Sequence, residues 1–155
     1  MNFERLAEHK WLTQLVGDWE VTTTMPNAEP MPPGTETVRS VGDFWVLAEG
    51  RGSMPDGSPA MTCLTLGYDP RMRHFVGTWL GSMLPHLFVY QGTLDAAANR
   101  LVLDCQGPDF SDPTRAASYR EVVTIVDDTR RTFVSYLESP EGDWVEIMHA
   151  DYRRV

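Results

Sequence analysis

From Asp18 onward the chain alternates apolar and polar residues at every second position, in short runs broken by turn-forming residues. A period of two marks a strand with one buried face, because successive side chains point to opposite sides of a pleated backbone. The runs fall at roughly Trp19–Thr24, Thr35–Val41, Phe44–Gly52, Ala60–Tyr68, Arg73–Leu80, His86–Leu94, Arg100–Gln106, Tyr119–Val126, Thr132–Leu137 and Asp143–Arg153. Between them stand Pro55-Asp56-Gly57, Asp69-Pro70, Asp127-Asp128 and Pro140-Glu141-Gly142, whose side chains and φ preferences suit tight turns. Two longer stretches, 25–34 and 107–117, are rich in Pro and Gly and read as loops.

About ten short strands joined by tight turns predict an antiparallel meander. An open sheet of that length exposes unpaired edges, and closure into an up-and-down barrel removes them. A barrel of more than about eight strands has interior room for a small ligand. A two-sheet sandwich with a filled core is the alternative. Ahead of the strands, Phe3, Leu6, Ala7, Trp11, Leu12 and Leu15 recur at helical spacing. They predict one helix over about residues 3–16, with Asn2 as its cap and Gly17 past its end, closing one mouth of the barrel.

A length of 155 residues with 42% hydrophobic content suits one domain spanning 1–155. The net charge of −9 argues against nucleic acid and anionic membrane as partners. No apolar run approaches the ~20 residues of a membrane helix. The first ten residues carry Glu4, Arg5, Glu8, His9 and Lys10 and lack the apolar core of a signal peptide. The expected location is therefore the cytoplasm, with Cys63 and Cys105 as reduced, packed thiols.

Hairpin turns transmit register from strand to strand, so one assumed set of turns sorts the residues into two faces. With turns near Gly42-Asp43, Pro55–Gly57, Asp69–Met72 and Ser82–Pro85, one face collects Arg39, Val46, Ala48, Leu64, Leu66, Tyr68, Phe75, Trp79, Leu87, Val89 and Gln91. It holds one formal charge, Arg39, whereas the opposite face holds Glu36, Glu49 and Arg51 with His74 and His86. Burying unpaired charge is costly, so the first face is expected inside. On the last three strands, Arg120, Val122, Phe133, Leu137, Trp144, Glu146, Met148 and Tyr152 form the set expected to face inwards. Arg39 and Arg120 then become anion holders, through the paired N–H groups of the guanidinium. Tyr68 and Gln91 add neutral hydrogen bonds, and Trp79 an aromatic wall. Alternatively Arg39 pairs with Glu146 inside, or reaches the rim with its head in water.

Motifs for cofactors and catalysis are missing. Gly50-Arg51-Gly52 opens like a dinucleotide loop, but Pro55 occupies the last glycine position. The four histidines are dispersed, with His74 and His86 ~20 Å apart in the assumed hairpin, so neither a metal nor another cofactor is expected. An acid–base pair of Glu146 or Glu121 with His149 keeps a hydrolase or isomerase open as an alternative. A third reading is a homodimer built on an outer patch of Trp45, Phe88 and Tyr90 around a filled core.

Several segments together carry a family likeness. They are His9-Lys10-Trp11-Leu12, Gly17-Asp18-Trp19, the run from Gly34 to Val46, Leu66-Gly67-Tyr68-Asp69, the run from Phe75 to Met83, Tyr90 to Asp95, Tyr119-Arg120, and Tyr152-Arg153-Arg154. The chain resembles the bacterial domain-of-unknown-function 1579 family across nearly its whole length. The resemblance implies a barrel like those of lipocalins and fatty-acid-binding proteins, the calycin group. In that likeness Gly17 permits the bend from helix to strand, and Trp19 closes the barrel base. It supplies no catalytic residues. The leading expectation is a barrel that holds a small apolar or amphipathic molecule, anions included, contacted by Arg39, Tyr68, Trp79, Gln91 and Arg120.

Overall fold

A computed structural model describes residues 2–155. The alternating runs become ten strands: β1 (Gly17–Thr24), β2 (Gly34–Val41), β3 (Trp45–Ser53), β4 (Pro59–Asp69), β5 (His74–Gly81), β6 (Leu84–Asp95), β7 (Arg100–Asp109), β8 (Asp112–Asp127), β9 (Arg130–Glu138) and β10 (Trp144–Arg154). Each pairs antiparallel with its sequence neighbours, and β10 returns to β1 from Trp19↔Arg154 to Thr24↔His149, closing the barrel. Closure gives every strand two neighbours, while the β7–β8 hairpin runs beyond its pairing with β6 and β9.

The stretch 107–117, expected as a loop, is mostly strand. β7 and β8 continue as a hairpin through Gly107↔Ala117 and Pro108↔Ala116. Its tip is held by Asp109 Oδ1, which accepts from Ser111 N at 2.9 Å and Ser111 Oγ at 2.6 Å. That side-chain turn lets both arms satisfy their backbone groups against each other, despite the prolines.

The helix is shorter than the expected 3–16. α1 spans Ala7–Leu12, followed by a 3₁₀ turn at Thr13–Leu15. Leu6, in extended conformation, is the N-cap, and its N–H donates to His9 Nδ1 at 2.9 Å. His9 thus supplies a capping acceptor that Asn2 lies too far upstream to give. These residues lie across the end of the barrel that carries the β2–β3, β4–β5, β6–β7 and β8–β9 turns. His9 Nε2 meets Tyr68 O at 3.0 Å, Trp11 Nε1 donates to Asn99 Oδ1 at 2.7 Å, and Trp19 Nε1 donates to Leu15 O at 2.8 Å. Arg154, stacked 4.2 Å over Trp19, donates to Val16 O, Gln14 O and Asp128 O, tying the 3₁₀ turn to the last strand. Gly17 adopts φ +136° at this bend, and a Cβ there would collide with the Arg154 guanidinium.

Four local irregularities overturn part of the expected face assignment, one of them the bulge between Glu146 and Met148 on β10, which leaves Trp144 and Glu146 on the outer face. Val41 pairs with Trp45, so the β2–β3 loop has three residues, not two. A one-residue change of register reverses a strand, so Glu36 and Val38 point inwards while Thr37 and Arg39 point out. Phe44, released from the strand, packs against His9 with ring centroids 5.0 Å apart. Gly81 pairs with Leu84 across a two-residue Ser82-Met83 turn, and a bulge then sets Trp79 opposite Phe88. Phe88 and Tyr90 therefore face the interior, and Leu87, Val89 and Gln91 the exterior. The extra residue Val126 does the same to β8: Tyr119, Glu121 and Val123 are inside, Arg120 and Val122 outside. On β3, β4 and β5 the expected face is the observed one. The outer patch of Trp45, Phe88 and Tyr90 does not form, because only Trp45 of the three is external.

Candidate functional site

The inward side chains divide the barrel into two halves. Toward the helix, Trp19, Leu66, Phe75 and Leu101 are at most 1% exposed, and Leu12 and Leu15 seal them from below. Tyr68 belongs to this plug, with its ring 5.0 Å from Phe75 and 5.8 Å from His9. A buried ion pair crosses the plug: Arg131 on β9 donates to Glu36 on β2. The Arg131 guanidinium lies 3.8 Å from the Tyr152 ring centroid and 4.6 Å from that of Trp19. Its Nε has no hydrogen-bond partner among the described residues. Two aromatic faces offset part of the desolvation of that cation, and Glu36 neutralises it. Burial pushes the Tyr152 phenol well above its ordinary range, and the Glu36 charge adds to the effect.

The other half ends at the rim that carries the β3–β4, β5–β6, β7–β8 and β9–β10 turns. Leu64, Phe88, Cys105 and Glu121 point inwards yet retain 7–9% exposure, and Thr62, Trp79, Leu137 and Met148 are half-buried. An aromatic wall runs along one side: Trp79 to Phe88 at 5.7 Å and Phe88 to Tyr119 at 5.9 Å, each edge to face. Tyr119 is fixed by donating its hydroxyl to Pro108 O at 2.6 Å. The Phe88 ring lies directly on Gly107, where a Cβ would displace it. At the rim, the β3–β4 and β5–β6 turns frame a cleft of about 440 Å³ lined by Met54, Pro55, Asp56, Ser58, Pro59 and Met83. Met83 and the edge of the Trp79 indole both abut Gly81, so this cleft adjoins the aromatic wall.

Below the wall lies a polar group of different character. Glu121 accepts a hydrogen bond from Ser135, its cross-strand partner on β9. No cation pairs with it among the described residues, since Arg131 is engaged by Glu36. Desolvation raises the Glu121 carboxyl to about 7, against an opposing pull from Ser135. Cys105, in the same interior, is pushed up to about 12 by burial and by the Glu121 charge. Tyr90, which by register faces Cys105, is pushed well above the usual phenol range for the same two reasons. This half therefore holds one carboxyl that changes charge near neutrality, ringed by proton-bearing neutral groups.

Four of the five residues expected to line the site lie elsewhere, Tyr68 in the base plug and three on the outer face. Arg39 is 62% exposed on the outer face, 3.9 Å from Glu49. Arg120 is also external, with Nε 2.8 Å from Asp104 Oδ1 and its guanidinium 4.2 Å from the Trp144 ring centroid. Gln91 is exposed. Tyr68 and Trp79 point inwards, at opposite ends. The expected acid–base pairs are not assembled either: Glu146 is exposed, and His149 faces outward, 3.4 Å from Asp151. Sequence reasoning overlooked Phe88, Tyr90, Cys105 and Ser135 as lining residues, and Arg131 and Glu36 as an internal pair. The alternation places Tyr90 with Phe88, and Glu121 with Tyr119 and Val123, as sets; the turns decide which set is inside.

Fold and site together define a closed antiparallel barrel with a plugged base and an aromatic mouth. The family described as protein of unknown function (DUF1579) matches residues 4–154, and the chain belongs to it. No curated protein matches in sequence. Among solved structures the chain is similar to Rv2717c from M. tuberculosis, with a TM-score of 0.60 at 12% identity, over 98% of this chain and 99% of that one. It is also similar to the S-type phycobiliprotein lyase CPES from Guillardia theta, with a TM-score of 0.57 at 16% identity over 97% and 94% of the two chains. A third is EF1p2_mFAP2b bound to DFHBI, with a TM-score of 0.51 at 10% identity over 96% and 100%. At these identities the likeness is one of fold.

Proposed function

We propose that this protein binds a small apolar or amphipathic molecule in the half of the barrel away from the helix. Trp79, Phe88 and Tyr119 form the wall, and Glu121 with Ser135 forms the polar floor. The observation that carries the reading is the inward aromatic wall of Trp79, Phe88 and Tyr119 adjoining the cleft at the rim. A barrel of this fold holding DFHBI and another that is a phycobiliprotein lyase are consistent with it. Of the residues expected from sequence, Trp79 remains a proposed ligand contact and Tyr68 acts in the base. An anionic ligand loses its anchors, because Arg39 and Arg120 are external and Arg131 is committed to Glu36. A second negative charge about 5 Å from ionised Glu121 would cost on the order of 3 kcal/mol at an effective dielectric near 20. Two cysteines on opposite faces of the barrel cannot pair with each other, which is compatible with a reducing, cytoplasmic setting.

The test is native mass spectrometry of protein purified from cells, followed by calorimetric titration with flat aromatic and amphipathic molecules. A co-purifying mass, or micromolar binding lost in Trp79→Ala with the fold intact, supports the reading. Failure of every compound to bind, with no co-purifying mass, overturns it.

A further inference from the structure

The polar floor also determines which chemical class the mouth prefers. We infer that the site selects ligands presenting a hydrogen-bond-donating or cationic nitrogen toward Glu121, over carboxylates of the same shape. This rests on the small-molecule reading above and deepens it.

Glu121 is about nine-tenths buried, points into the barrel interior below the aromatic wall, and has Ser135 as its one hydrogen-bond partner among the described residues. A carboxylate has room for about four donors. The groups around it leave that capacity unmet. Across β7 stand Leu103 and Cys105, and from β6 comes Tyr90. Tyr119 is the neighbour on β8 itself, and its hydroxyl is spent on Pro108. From β10 come Met148, opposite Ser135, and Tyr152, at the Arg131 end. Tyr90, Cys105, Tyr119 and Tyr152 all hold their protons more tightly than usual and stay neutral at physiological pH. The one internal cation on β9, Arg131, donates to Glu36. A ligand nitrogen would therefore supply what the fold withholds, and a ligand carboxylate would place like charge in a dry cavity.

Three probes of one shape test this by calorimetry: 1-naphthylmethylamine, 1-naphthylmethanol and 1-naphthoate, against wild type and Glu121→Gln at pH 8, and against wild type from pH 5.5 to 8. The expected result is amine binding at least tenfold tighter than the acid at pH 8, with the alcohol between them. In Glu121→Gln that preference falls at least tenfold. In wild type the amine weakens as pH falls below 7 and the alcohol does not, a readout that needs no variant to fold. Acid bound as tightly as amine, or an amine preference unchanged by both Glu121→Gln and pH, overturns the inference while leaving the small-molecule reading in place. Failure of all three probes to bind wild type overturns the inference, and the small-molecule reading falls with it only when the wider panel and the co-purified mass are empty too.

Discussion

Glu121 and Ser135 face each other across the β8–β9 ladder inside the barrel, and the Ser135 hydroxyl donates to the Glu121 carboxyl. A neutral hydroxyl is a weak substitute for a countercharge, so the carboxyl stays desolvated and holds its proton up to about pH 7. Glu36, buried to the same degree, has Arg131 instead. The barrel thus treats its two internal carboxyls differently: one is neutralised in the base, and the other is left available under the mouth.

The raised Glu121 value makes stability depend on pH. Below about pH 4.5 folded and unfolded chains both carry the proton. Between 4.5 and 7 the unfolded chain releases it while the folded one retains it, so stability falls as pH rises through this window and levels off above 7. The full effect is about 3 kcal/mol. Glu121→Gln should remove it, so denaturant midpoints of wild type and variant diverge in the variant's favour from pH 5 to 8. Parallel curves across that range would contradict the assignment.

Arg131→Met should cost about 3–5 kcal/mol, because it leaves Glu36 charged and unpaired in the base. Replacing both partners, as Glu36→Met with Arg131→Met, should recover most of that loss, since an apolar pair needs no countercharge. Urea denaturation of the two singles and the double reads the difference directly.

Arg39→Ala and Arg120→Ala should each change stability by less than about 1 kcal/mol, because their ion pairs are exposed and screened. Neither should alter binding of the naphthyl alcohol. A large loss of affinity in either would mean that these side chains reach the lumen after all.

The two thiols should separate cleanly. Cys105 is buried and inward, with its ionisation pushed up to about 12, while Cys63 is half-buried on the outer face. An aromatic disulfide reagent at pH 8 should titrate one thiol in the native protein and the second only after unfolding. The Cys63→Ser variant should show no fast phase.

The strands themselves were readable because half-burial writes itself into every second residue. Gly34–Val41 and Arg130–Glu138 follow the alternation within a residue or two of the expected limits. The face each strand turns inward depends on loop parity, which the pattern does not carry. Phe44 reads equally well as a strand residue or as the third residue of a loop, and its packing against His9 decides between them. The same holds for Ser82-Met83 and for the bulged Val126. Charge counting failed on β2 for a related reason: Glu36 looks external when weighed alone and becomes internal because Arg131, 95 residues away, neutralises it. Long-range compensation of this kind leaves no local mark.

The most direct test of the mouth as a ligand site uses the five tryptophans as position markers. With 1-naphthylmethanol added, heteronuclear NMR should show the Trp79 indole N–H and the Met148 methyl shifting together to saturation. Trp19, sealed in the base, and Trp45, on the outer face, should stay in place. Shifts concentrated at Trp45 and the outward Leu80 and Val89, or no shift at any indole, would contradict the account.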